Sequence, residues 1–402
     1  MRIGFFNNIG YTLLTFITTY IIGHLVYGLI SGGSKSSTKS EFVKNAIGTV
    51  TIIVLYSTFK TKLITINIGF FLLFLLYWWH NRPKLNTQFK IDGKIVLVQL
   101  LILTILYTFL YLLLFGIKER PYIWLMIDHT LYATYIDKLN AIGVEGKESD
   151  LFFKEPVRNI YHFGELWYTA FFSWIYKHNT LQVLYFSVFP SFLTTIFVGG
   201  KALTEYYFKK NKSYQWIAPF SIIILSGIVF YFPKSVEFFS LSWGNDTILS
   251  CIKYSPLTIL FIAAFFYIID KNFYNAILIM LACTLINSAT SPAVFIGLTV
   301  FICVLFCLKD IKIKDTLLAF IPILLIGLFI ASYAILIGVL NKKNLSFDNS
   351  YEANFSLTDK LTDLLYYKTF FNCMIGTLIK FFKRPSFWGT SVIRREKMGY
   401  GK

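Results

Sequence analysis

Nine apolar runs, several of membrane length, constrain this chain more than any motif in it: 5–30, 63–79, 95–117, 181–199, 217–232, 256–269, 273–286, 292–308 and 317–340. Two further runs, 46–59 and 370–382, are shorter and weaker. A bilayer core asks for about 20 apolar residues per helix. Backbone groups cannot stay unpaired in lipid, and no run alternates with the period of a strand, so the runs are predicted to be helices. Only 15% of the residues are charged, against roughly 25% in soluble domains. The sequence predicts an all-α polytopic membrane protein with about 10–11 transmembrane helices, a multi-pass protein of an inner or plasma membrane. The run at 5–30 is too long for a signal peptide and lacks a small-residue cleavage site, so it is a span.

The charges are unevenly placed. Residues 118–165 hold six Lys/Arg and eight Asp/Glu, a balance of −2 in a chain of net charge +17. The basic excess sits in short loops between spans, which makes it topological and excludes a nucleic-acid-binding face. The richest clusters are Lys35/Lys39/Lys44, Arg82/Lys84/Lys90/Lys94, Lys201/Lys209/Lys210/Lys212, Lys309/Lys312/Lys314 and the tail 383–402. All five fall on one side only if 165–177 does not cross the membrane. That segment carries Trp167, Tyr168, Phe171, Phe172, Trp174 and Tyr176, an aromatic set suited to the headgroup layer, and is expected to be an interfacial helix. The loops 118–177, 233–255 and 341–369 then face outward, with Lys60 and Lys62 as a small violation.

The acidic loop is where chemistry is expected. Asp128, Tyr132 and Tyr135 are spaced for one helix face, with His129 beside them. Asp128 follows the apolar run PYIWLMI, and a carboxylate held at a membrane surface has a tunable pKa. Arg158, Tyr161, His162 and Glu165 stand just before the aromatic segment. The acids Glu148, Asp150 and Glu155 suit a solvated surface.

The motifs D-H-x-x-Y-A at Asp128–Ala133, G-V-E at Gly143–Glu145 and Y-H-F-G-E-L-W at Tyr161–Trp167 resemble bacterial members of the glycosyltransferase C superfamily. These are polyprenyl-phosphate-sugar-dependent integral membrane transferases, some of them mannosyltransferase-like. The resemblance covers roughly residues 95–340. It implies an N-terminal membrane segment of about three helices at 1–94, a transferase core at 95–382 with its outer catalytic loop at 118–177, and a basic cytoplasmic tail at 383–402. Two departures stand out: three segments precede the span that comes first in that group, and the C-terminal part is unusually small or the sequence truncated.

The resemblance also implies a reaction. An inverting displacement would move a sugar from a polyprenyl-phosphate donor to a glycan, lipid or protein acceptor, with Asp128 as general base. Arg158 is the first choice of cation for the leaving phosphate, ahead of Arg120 and Lys253. His129, Tyr132, Glu145, Tyr161, His162, Glu165 and, from the next outer loop, Asp246 complete the expected binding set. No cofactor is required. The alternative is a divalent cation, Mg or Mn, held by Asp128, His129 or His162, and Glu145. The other classes are an envelope polysaccharide polymerase or ligase, and a transporter or flippase. His24 within the first span is expected to pack against a neighbouring helix; of the five cysteines, which form no CxxC pair, the four in or beside apolar segments are expected to be reduced and packed.

Overall fold

The structure, a computed structural model, describes residues 5–31, 37–61, 66–81, 91–115, 127–143, 164–208, 214–216, 219, 247–309 and 311–342. The described residues are helical and contain no strand. In order they form α1 (Phe5–Ser31), α2 (Thr38–Lys60), α3 (Asn67–Asn81), α4 (Gly93–Phe115), α5 (Ile127–Ile142) and α6 (Gly164–Tyr176). Then come α7 (Thr180–Tyr207), α8 (Thr247–Ile269), α9 (Phe273–Ile286), α10 (Ser291–Cys307) and α11 (Ile313–Lys342). Six of these helices are long and apolar enough to cross a membrane, the architecture of a multi-pass membrane protein; α8 and α9 contribute shorter apolar helices. The run 217–232 apart from Pro219, the run 370–382 and the tail 383–402 lie outside the described residues.

The weakest of the expected spans among these residues proves to be a long helix. The run 46–59 is the C-terminal part of α2, a helix of 23 residues. Its start was obscured by Lys39, Glu41 and Lys44, which look like a loop in sequence. Ser37 caps it in a reciprocal capping box with Ser40, and Glu41 in the first turn complements the helix dipole.

Helix α1 lies antiparallel along α2 at a very close crossing. A Cβ on Gly23 would stand 1.8 Å from the Lys44 carbonyl oxygen, and one on Gly48 would stand 2.0 Å from that of Thr19. Small residues that let two backbones touch are the usual means of helix association where lipid removes the hydrophobic drive. The same face of α1 carries buried Asn8, Thr12, Thr15 and Thr19. Each of the three hydroxyls finds a partner on α6 or α7. Thr15 meets the Tyr176 hydroxyl at 2.8 Å, Thr19 meets that of Tyr168 at 2.5 Å, and Thr12 donates to the Phe186 carbonyl.

That last bond falls within a local irregularity. Residues Val183–Val188 of α7 form a π-helical stretch. Pro190 follows, four residues after Phe186, and has no N–H to offer its carbonyl. The hydroxyl of Thr12 takes that place.

Two ends of the bundle can be distinguished by contacts. One holds the start of α1 and the end of α2: Tyr107 of α4 donates to the Phe5 carbonyl at 2.7 Å, and Asn67 at the start of α3 donates to Ser57 at 2.8 Å. The other holds the start of α2, where Lys39 pairs with Asp270, Asn45 with Gln99 at 3.2 Å, and Asn81 with Asn275 at 2.9 Å. Phe42 lies against the backbone at Gly199, so α7 runs from the first end towards the second. With α9 and α10 joined by a short turn after Ile286, the described lysines of four clusters gather at the second end: Lys39, Lys44, Lys94, Lys201, Lys309, Lys312 and Lys314.

Helix α6 does not alter that count. Both its ends lie at the first end: a Cβ on Gly164 would meet Ile286 at the end of α9, and the Tyr176 hydroxyl donates to the Tyr11 carbonyl near the start of α1. The expected helix is therefore present, but its aromatic side chains are placed differently from expectation. Trp167, Tyr168 and Phe172 are each 1% exposed, enclosed by protein where α6 packs against α2, α5, α7 and α8; only Trp174 and Ile175 are strongly exposed. Aromatic residues suit a protein core and a headgroup layer equally well, and neighbours decide between them. The thiols also divide: Cys283 is buried, while Cys303 and Cys307 are exposed on α10, a correction to the expectation that the thiols in apolar segments are packed.

Candidate functional site

At the first end, α5 is tied down along its C-terminal half. Tyr56 of α2 donates to Asn140 Oδ1 at 2.6 Å, and Asn140 Nδ2 donates to Ser173 Oγ of α6 at 2.8 Å. Lys60 Nζ donates to the Asn140 carbonyl at 3.1 Å, and Asp137 accepts from Thr180 at the start of α7. Three helices are thus fastened through one asparagine.

Immediately after α5 comes Gly143, with φ +73°. A Cβ there would lie 2.3 Å from the Lys60 carbonyl oxygen. This position needs glycine twice over, for the left-handed backbone and for the close approach to the end of α2. The G-V-E motif therefore has a structural reason for its first letter.

The expected site residues are distributed as follows. Asp128 and His129 stand in the first turn of α5, one turn before Tyr132. Tyr132 and Tyr135 are half-buried against the main core, Tyr132 beside Tyr185 of α7. Glu165 stands in the first turn of α6, 1% exposed and beside Tyr254 of α8. The two acid-bearing helix starts thus have different neighbours. Glu145, Arg158, Tyr161, His162 and Asp246 lie outside the described residues. Among the described residues no three of His, Cys, Asp and Glu gather as a metal site would require. In α6, burial pushes the Tyr176 hydroxyl up to about 12.

A second polar cluster lies towards the opposite end, between α1 and α2. Glu41 and Lys44 form an ion pair at 2.6 Å with side chains 0% and 4% exposed. Tyr20 donates to Glu41 Oε2 at 2.5 Å, His24 stacks on the Tyr20 ring at 5.9 Å, and Lys44 Nζ lies 5.8 Å from the same ring. The expectation that His24 packs against a neighbouring helix agrees with this placement, since it is 8% exposed. Sequence reasoning missed the other three. The available signal was the i, i+3 spacing of Glu41 and Lys44, which lets a helix neutralise its own charges.

Asn140, Ser173 and Tyr56 were also missed, being ordinary residue types that matter only through their contacts. Lys60 was seen merely as an exception to the charge rule. No known protein family, curated protein or solved structure matches the chain.

Proposed function

We propose that this chain is an integral membrane glycosyltransferase that moves a sugar from a polyprenyl-phosphate donor to an envelope glycan, lipid or protein acceptor. The observation that carries this reading is α5. It is a 16-residue helix that follows an apolar span and is fastened at the end of the bundle opposite the described lysine clusters, with Asp128 in its first turn. By the positive-inside rule that end faces away from the cytoplasm. Asp128 is assigned the role of general base: it takes the proton of the acceptor hydroxyl as that oxygen attacks the anomeric carbon and the polyprenyl phosphate leaves. The leaving phosphate gathers charge that a cation at the membrane surface stabilises. Arg158, sixteen residues beyond the end of α5, is the sequence's candidate for it.

A second reading is polymerisation or ligation of lipid-linked glycans, for which α5 and α6, following the four helices α1–α4 and packed into the same core, would be the outer element. Both readings use a lipid-linked sugar at the same end.

The test is transfer of labelled sugar from polyprenyl-phosphate donors in membranes containing the protein. Asp128→Asn is expected to lower transfer by about 100-fold or more, the scale of a lost general base. Full activity in that variant removes Asp128 from the mechanism. Transfer of preassembled oligosaccharide, with none of single sugars, selects the second reading.

A further inference from the structure

Lys60 is a cation at the end of the bundle where the positive-inside rule disfavours one. The structure gives it a built seat. Its ammonium is held by the Asn140 carbonyl at 3.1 Å and lies 5.9 Å from the Tyr56 ring and 5.6 Å from the Trp174 ring. The partners around that seat are themselves fixed: Asn140 by Tyr56 and Ser173, and the end of α2 by the glycine-only approach at Gly143. Lys60 is half-buried, and beside it Phe59 and Trp174 remain 73% and 48% exposed. Trp174 stands out on α6, where Trp167, Tyr168 and Phe172 are enclosed.

A positioned ammonium with one hydrogen-bond partner among the described residues, next to two exposed rings at a membrane surface, matches one ligand chemistry: a phosphate attached to an apolar chain. The seat is not where the reacting phosphate belongs. Asn140 lies twelve residues from Asp128 along α5, about 18 Å of helix. We propose that Lys60, Trp174 and Phe59 form an anchoring subsite for the diphosphate of a polyprenyl-linked acceptor, whose glycan extends from there along α5 towards Asp128. Lys60 takes the phosphate oxygens, and Phe59 and Trp174 take the first isoprene units. The acceptor is then a lipid-linked oligosaccharide rather than a free sugar or a protein. This inference rests on the glycosyltransferase reading for its choice of acceptor.

The experiment measures binding of undecaprenyl diphosphate to the full chain in phosphatidylcholine nanodiscs, with phosphatidylglycerol as the competing anionic lipid. The wild type is expected to prefer the diphosphate. Lys60→Gln is expected to weaken its binding about ten- to a hundred-fold, the scale of one charge-assisted hydrogen bond, and Lys60→Arg by only a few-fold. Trp174→Ala, which leaves the ammonium in place, covers the case in which Lys60→Gln fails to fold, and is expected to weaken binding several-fold. Equal binding of phosphatidylglycerol, or unchanged binding in both Lys60→Gln and Trp174→Ala, overturns the subsite. Lys60-dependent binding without any sugar transfer keeps the subsite and removes the transferase reading. Transfer that depends on Asp128 with binding indifferent to Lys60 does the reverse.

Discussion

The two polar regions of this bundle handle charge in opposite ways. Between α1 and α2, Glu41 and Lys44 neutralise each other in full burial, and Tyr20 satisfies a carboxylate oxygen. At the α5–α6 end, Lys60 is held by a neutral carbonyl and aromatic rings and stays half-exposed. A closed pair is internally complete, so its groups have little left to offer a ligand. An ammonium positioned by neutral partners keeps its charge for something else. The contrast assigns structure to the first region and ligand contact to the second.

The closed pair predicts the largest stability effect. Replacing one member, Lys44→Met, leaves a carboxylate buried without its ammonium and is expected to cost about 3–5 kcal/mol, read as the melting point in detergent. The double variant Glu41→Leu/Lys44→Met removes both charges and is expected to recover most of that loss; a double variant as unstable as the single one breaks the contrast. Next comes Gly143→Ala. Backbone strain and the clash with the Lys60 carbonyl are expected to cost about 1–3 kcal/mol, with hydrogen exchange rising at the end of α5. Protection unchanged there would show that α5 is not fastened through this contact.

Asn140→Ala removes hydrogen bonds to Tyr56 and Ser173 together and is expected to cost about 1–2 kcal/mol. The smallest effect is on pH dependence. Because burial raises the Tyr176 hydroxyl from 10.0 to about 12, its contribution is fully present below pH 10 and is lost as pH rises towards 12. Difference absorbance against Tyr176→Phe checks this; a tyrosinate signal from Tyr176 near pH 10 contradicts the burial.

How much of this was legible in the sequence depended on whether a residue's role is set by its own neighbourhood in the chain. The long apolar helices were visible because length and hydropathy are local. The start of α2 was not, because Glu41 and Lys44 look solvated until the partner three residues away is recognised. Helix α6 was predicted within a residue at each end, yet its aromatic residues were given to the headgroup layer, since composition cannot tell a protein neighbour from a lipid headgroup. The π-helical stretch before Pro190 was hidden for a similar reason: the Thr12 hydroxyl that completes it comes from a helix 174 positions earlier. Asp128 and Glu165 were read together as one loop. The structure puts them at the starts of separate helices with different neighbours, α7 near Tyr132 and α8 near Glu165.

The proposed function requires the lysine-rich end and the α5–α6 end to lie on opposite sides of the membrane, the latter outside. Single cysteines at two exposed positions test it: Ala141→Cys at the end of α5 and Lys94→Cys at the start of α4, each in a variant with the native cysteines replaced by serine. With a membrane-impermeant maleimide on intact cells, Ala141→Cys is predicted to label at once and Lys94→Cys only after the membrane is opened. Labelling of both positions from the same side, or of Lys94→Cys alone in intact cells, contradicts the account.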